Sequence, residues 1–252
     1  MNSSEPILSV CIPAYKYSEG VQRILDKLEN RYDIEILISE DKSDAPLQIE
    51  FKDKDCVRHI VNMEPTGAVN NWNMVIGKAK GRYIWLLHHD DEPIFFPSLS
   101  NLLEELSEDN LPDCIYVSKL LSDKRYLFRL NRLKPILLRY SSNIFFLNYL
   151  GAPSNIIFPR KALINFDNNL QWYVDCDWYF RLFNQNEFRS KFNLFGIKTH
   201  LYDESITNSL DKEINSISKK EIQYIINKYN FSYLKSVALK FFLYLKFVNK
   251  II

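Results

Sequence analysis

Residues 7–87 repeat one pattern: a short apolar run, a stretch with apolar residues at helical spacing, then another apolar run. That alternation is the mark of βαβ units, and it predicts an α/β fold with a mainly parallel central sheet flanked by helices. The runs at Ile7–Pro13, Ile34–Ser39, Val57–Asn62 and Arg82–Leu87 read as strands. Between them, Val21, Ile24, Leu25 and Leu28 share one helical face, and Ser18 is placed to cap that helix. A second helix is predicted over Ala68–Lys80, with Ala68, Trp72, Val75, Ile76 and Ala79 on its apolar side and Gly81 as its terminating glycine. Further strands are expected at Asp113–Leu120, Asn155–Phe158 and Lys191–Leu201, a helix at Cys176–Phe183, and a helical tail from about Asp211.

In open parallel sheets ligands bind beyond the carboxyl ends of the strands. Two acidic segments fall at such ends: Glu40–Asp41 after the second strand, and His88, His89, Asp90, Asp91, Glu92 after the fourth. Carboxylates gathered at a strand end suit a hard divalent cation, Mg²⁺ or Mn²⁺, which would neutralise a diphosphate. Taken alone, the 88–92 cluster is equally the pattern of a solvated acidic turn. Asp175 and Asp177 stand at the entry of a predicted helix, where an acid serves as an N-terminal cap, or, at the base of a cleft, as a proton acceptor.

Composition removes other classes. Lys and Arg number 32 against 31 Asp and Glu, a formal charge of +1, so the basic excess of a nucleic-acid-binding protein is missing. Only six glycines occur, and GxGxxG, GxxxxGKS/T and GxSxG are all absent, which removes the usual dinucleotide, P-loop and hydrolase-elbow fingerprints. The four cysteines are scattered without a CxxC pair, as expected of reduced thiols. With no signal-peptide pattern at MNSSEPILSV and no uncharged apolar run near the ~20 residues needed to cross a bilayer, a cytoplasmic location is expected.

Several segments together resemble glycosyltransferase family 2, inverting enzymes with the GT-A fold that use nucleotide-sugar donors. LSVCIPAYKYSEGVQRIL is similar to that family's first strand, its Pro-x-Tyr-Asn turn and the following helix; LISEDKSDA resembles its Asp-Asp-Gly-Ser-Thr-Asp turn. GAVNNWNMVIGKAKGRYIWLLHHDDEP is similar to its helix, glycine, strand and DxD loop in unbroken succession, and FDNNLQWYVDCDWYFRL to the segment holding its catalytic base. The resemblance implies a GT-A domain over residues 1–207, with a nucleotide-binding half at about 1–93 and an acceptor half at about 94–207, followed by a helical extension at 208–252. It further implies Pro13, Tyr15 and Asp41 around the nucleotide, Asn73 near the donor pocket, and Asp90 on the cation with Asp91 and His89 beside it. The base falls at Asp175 when counted from Arg181, with Asp177 as the fallback. Lys16 stands for the family's asparagine, Lys42 for its glycine, and His88 or His89, depending on register, for the first acid of DxD. His200 precedes a stretch similar to the family's late Arg-x-His-x-x-Ser segment, although Tyr202 takes the histidine place in that register.

The activity so implied is transfer of a hexose-type sugar from a nucleotide-sugar, UDP by default, to a glycan or lipid-linked acceptor in surface-polysaccharide assembly. The alternatives are a non-catalytic GT-A-like binding module and a sugar nucleotidyltransferase, though AYKYSEG lacks the latter's glycine-rich basic loop. Lys235, Lys240, Lys246 and Lys250 fall within an arc of about 140° on a helical wheel, without an acid among them. Residues 232–252 therefore read either as an anionic-membrane contact or as a helix docked on the domain. The basic stretch 124–139 would face the acceptor.

Overall fold

A computed structural model describes residues 5–51, 54–108, 114–120, 138–185, 189–200 and 213–248 of the 252. The strands are β1 (Leu8–Ala14), β2 (Ile34–Glu40), β3 (Val57–Val61), β4 (Tyr83–Leu86), β5 (Asp91–Phe95), β6 (Cys114–Leu120), β7 (Ile156–Pro159) and β8 (Arg189–Thr199). The helices are α1 (Ser18–Lys27), α2 (Ala68–Gly77), α3 (Leu99–Ser107), α4 (Val174–Gln185), α5 (Ile214–Tyr229) and α6 (Tyr233–Val248). All eight strands form one sheet in the order β3-β2-β1-β4-β7-β6-β8-β5. β3, β2, β1 and β4 run parallel, with β1, β2 and β4 buried on both faces and β3 at the partly exposed edge; β7 turns antiparallel against β4 and β6, and β5 antiparallel against β8.

The period-2 pleat divides the core into two layers. Leu8, Val10 and Ile12 point with α1 and α3 to one side, while Cys11 points with α2, α4 and α5 to the other. Tyr83 and Trp85 join the first layer, Ile84 and Leu86 the second. The described C-terminal helices belong to this second layer: Ile222, Ile225, Ile226 and Leu239 are buried in it. The four cysteines are free thiols, three of them buried.

Four local readings change. Ser18 is the first helical residue of α1, not its cap, and its hydroxyl accepts the Gln48 N–H at 2.8 Å. α2 ends at Gly77, so Gly81 does not terminate it; a Cβ on Gly81 would sit 2.5 Å from Ser9 N and 2.8 Å from the Leu8 carbonyl carbon. Gly81 is there because β4 enters against the backbone of β1. The acidic segment after residue 90 is not all loop, since Asp91–Phe95 pairs with β8 as an edge strand. Helix α3, whose Leu99, Leu102, Leu103 and Leu106 form a buried stripe, was not anticipated. The basic stretch 124–139 lies almost wholly outside the described residues.

Candidate active site

The carboxyl ends of β1, β2 and β4 open into a cavity of about 1100 Å³, closed on its other side by residues 144–152, the start of α4 and the end of β8. Pro13, Tyr15, Asp41, His89, Asp90, Asp91 and Asp175, far apart in the chain, all line it. Asn73 does not. Its side chain instead clamps the 166–168 segment, accepting the Phe166 N–H at 2.7 Å and donating to the Phe166 carbonyl and Asn168 Oδ1. The α2 amide facing the cavity is Asn71, two residues earlier and therefore on another face of the helix. Asn71 donates to the Ser39 carbonyl and accepts from the Ser39 hydroxyl and Asn62, which ties α2 to the end of β2.

Asp41 is 6% exposed and bound on both oxygens. Oδ1 accepts the Thr66 N–H and hydroxyl, each at 2.8 Å, and Asn62 Nδ2 at 3.2 Å; Oδ2 accepts the Gly67 N–H at 2.9 Å. Burial would raise its pKa, but these donors outweigh that, and the carboxyl titrates below its ordinary range. Asp41 is thus a fixed anion at the mouth of α2. In the turn after β1, Lys16 adopts φ +58°, a left-handed conformation in which asparagine is at less disadvantage than lysine, and its ammonium reaches Asp44 at 2.7 Å.

Residues 88–91 form a tight turn, closed by the Asp91 N–H on the His88 carbonyl at 2.9 Å. Among the described residues, one group of three side chains brings metal-ligating atoms within 4.8 Å of one another: His88, Asp90 and Asp91. His89, the histidine expected beside the aspartates, is not in that group. Its Nδ1 lies 3.0 Å from the Pro13 carbonyl and its ring meets Tyr17 edge-on, so it secures the turn to the end of β1. His88 packs its ring, tilted by 31°, on Trp72 with ring centroids 4.7 Å apart, its backbone N–H is held by the Ser154 hydroxyl at 2.9 Å, and its Nε2 is buried without a hydrogen-bond partner among the described residues. Asp91 is nearly inaccessible and accepts the Thr199 hydroxyl at 2.6 Å. Burial first, and then the charge of Asp90, push its pKa up, against the pull of His88 and its hydroxyl donors. His200 turns away from the cluster to Glu92, 2.8 Å from Nε2, while its backbone N–H fixes the Asp90 carbonyl.

Asp175 and Asp177 part company on α4. Two residues is about 200° of helix turn, so the side chains face opposite ways. Asp177, 0% exposed, faces inward and accepts from Arg181 Nε at 2.8 Å, Lys228 Nζ at 2.7 Å and the Tyr229 hydroxyl at 2.6 Å. Every oxygen there is committed to α4 and α5. Asp175 faces the cavity, and its Oδ1 is buried with no hydrogen-bond partner among the described residues. Desolvation, with the neighbouring Asp91 charge, raises its pKa to about 7. Glu221 on α5 sets the approach to this helix: its carboxylate accepts the backbone N–H groups of Gln171, Trp172 and Tyr173 at 2.7–3.3 Å. Nothing in the sequence pairs Glu221 with a segment nearly fifty residues earlier, and it was not anticipated.

The charge of the cavity is lopsided. Its described lining carries six carboxylates, Asp41, Asp44, Glu64, Asp90, Asp91 and Asp175, against one cation, Lys42, which is itself paired with Glu64 at 3.4 Å. Such a cleft repels a diphosphate unless a cation enters with it.

Residues 9–167 match the family described as Glycosyl transferase family 2, well over half of the chain, and the chain belongs to that family. It is 24% identical over 202 residues to the uncharacterized protein MT1568 of Mycobacterium tuberculosis, a match covering 72% of this chain and 63% of that relative's length. Among solved structures, S. aureus TarS residues 1–349 in complex with UDP-GlcNAc is similar with a TM-score of 0.60 and 14% identity, over 94% of this chain and 70% of that one. The mannosyltransferase PcManGT from Pyrobaculum calidifontis, in complex with GDP-Man and Mn²⁺, has a TM-score of 0.59 and 12% identity, over 96% and 71%. The fold is therefore that of the GT-A glycosyltransferases.

Proposed function

We propose that this chain is an inverting, cation-dependent glycosyltransferase that moves a hexose-type sugar from a nucleotide-sugar, UDP by default, to a hydroxyl of a glycan or lipid-linked acceptor. The observation that carries the reading is the convergence of Asp41, Asp90, Asp91 and Asp175 on one cavity with a single described cation in its lining.

In this reading Pro13, Tyr15 and Asp41 hold the nucleotide, Asp41 accepting a donor of the base or ribose on the lone pair of Oδ2 that Gly67 leaves open. Asp90 and Asp91, with a histidine of the same turn, hold Mg²⁺ or Mn²⁺. Bound there, the cation supplies Lewis-acid stabilisation of the departing diphosphate. Asp175 takes the proton of the acceptor hydroxyl as its oxygen attacks the anomeric carbon. A carboxylate whose Oδ1 has no partner among the described residues and whose pKa is near 7 is suited to that task, because about half of it is ionised at neutral pH and the ionised form is basic enough to accept a proton. Attack from the face opposite the diphosphate inverts the anomeric carbon.

Surface-polysaccharide assembly, as O-antigen, capsule or lipooligosaccharide, and a peripheral site at the inner membrane face complete the proposal. Among the described residues no helix is long and apolar enough to cross a membrane. Support for a surface contact comes from α6, where Tyr233, Leu234, Val237 and Phe241 are exposed while Leu239 is buried.

The test is a thermal-shift panel of UDP, GDP and dTDP with and without Mn²⁺. Stabilisation by one of them only when the cation is present is the expected result. A chain that responds to none, or equally well in chelator, refutes the reading.

A further inference from the structure

His88 stands where an all-carboxylate cation site would have an acid, and its surroundings treat it as neither a surface residue nor a core one. Trp72 covers one face of the ring at 4.7 Å. Ser154 grips its backbone N–H, and Thr199 grips Asp91, so the turn is fixed at once from the 3-10 turn before β7 and from the end of β8. Within that fixed turn one imidazole nitrogen and two carboxylates come within 4.8 Å of one another, and Nε2 is shut off from water without a partner among the described residues. A buried, unbonded ring nitrogen costs free energy that a stacked but otherwise idle histidine would not repay.

We infer that His88, and not His89, is a nitrogen ligand of the cation held by Asp90 and Asp91, and that it biases the site toward first-row transition ions over Mg²⁺. The inference rests on the cation-dependent reading above and adds the identity of the third ligand and its effect on ion choice. The chemistry follows from the ligand atoms. Mg²⁺ prefers an all-oxygen octahedron and gains little from imidazole, whereas Mn²⁺, Co²⁺ and Zn²⁺ accept nitrogen, with affinity rising from Mn²⁺ to Co²⁺. His89 is excluded by its geometry: its Nδ1 is engaged with the Pro13 carbonyl at 3.0 Å and, among the described residues, it belongs to no three-residue ligand group.

The test uses the full chain and metal ions alone. Mn²⁺ binding is followed by loss of the free-ion electron paramagnetic resonance signal, Mg²⁺ by its competition with Mn²⁺, and ligand type by ¹⁴N modulation in the pulsed spectrum of bound Mn²⁺. Wild type should bind Mn²⁺ at least roughly tenfold more tightly than Mg²⁺ and show nitrogen modulation. His88→Asp should lose the modulation and bring the two affinities to within about threefold, by restoring an oxygen-only set. His88→Gln, which keeps a side chain of similar length, should also lose it, and His89→Gln should retain it. Modulation that survives in both His88 variants, or disappears in His89→Gln alone, overturns the assignment. So does an unchanged Mn²⁺ to Mg²⁺ ratio in His88→Asp. Failure of the underlying reading looks different: neither ion binds wild type, and Asp90→Asn changes nothing.

Discussion

Replacing Asp175 by Asn should abolish transfer and stabilise the protein in the same stroke, with a pH dependence that identifies the cause. Burial and the Asp91 charge raise the Asp175 pKa from an ordinary 3.8 to about 7. Between those values the folded chain holds a proton that the unfolded chain has released, so wild-type stability falls as pH rises. The full cost of ionisation is about 3 units at 1.36 kcal/mol each, or about 4 kcal/mol, present above pH 7 and absent below about pH 4. Local relaxation lowers that ceiling, and an expected gain of about 1–4 kcal/mol corresponds to several degrees in Tm for a chain of this size. The Asn amide never ionises, and it can donate toward Asp91. The assay is a pair of melting curves, wild type and Asp175→Asn, from pH 4 to pH 8.5 in chelator so that bound metal does not contribute. The two should coincide near pH 4, diverge through neutrality and run parallel above it. A constant offset at all pH values, or a variant less stable at pH 8, refutes the argument that Asp175 is held ionised at a cost.

Asp177, two residues on, should respond with the opposite sign: Asp177→Ala leaves Lys228 and Arg181 facing a buried void and should cost about 3–5 kcal/mol, read as a large drop in Tm at pH 7. Gly81→Ala should cost about 1–3 kcal/mol, because the atoms met by the new Cβ are β1 backbone and cannot swing aside; chemical denaturation would measure it. Gly20→Ala is expected to weaken Mn²⁺ binding as well as stability, since its Cβ would overlap the His89 carbonyl oxygen and displace the 88–91 turn; unaltered Mn²⁺ affinity would show that the turn tolerates the shift.

The parallel half of the fold was legible because its signal is local. Strands buried on both faces read as near-continuous apolar runs, as β1, β2 and β4 do, and all four parallel strands, the edge strand β3 included, fall within a residue or two of their expected places. β5 was hidden by its own sequence: Asp91 and Glu92 look like loop residues, and only their position on a sheet edge beside β8 makes them strand. Gly81 was assigned to the wrong cause for a similar reason. A glycine after a helix has a local explanation, whereas the approach of β4 to Ser9 is visible only once the sheet is assembled.

The site was legible to the level of which carboxylates meet, but not to the level of what holds them. Asp41, Asp90 and Asp175 could be picked out because each closes a recognisable segment, yet the partners that fix them lie elsewhere: Thr66 and Gly67 for Asp41, Thr199 for Asp91, Glu221 for the entry to Asp175. The Asp175–Asp177 ambiguity shows the limit most clearly. Either acid suits a helix entry by sequence, and helical geometry says only that they face apart. What decides between them is where α5 lies, because Lys228 and Tyr229 claim Asp177 and leave Asp175 to the cavity. Helix α5 thus determines which carboxylate is left open to the cavity, although it contributes none of the described cavity lining. An assignment of the base made by motif spacing alone omits the element that leaves Asp175 open for the proposed role.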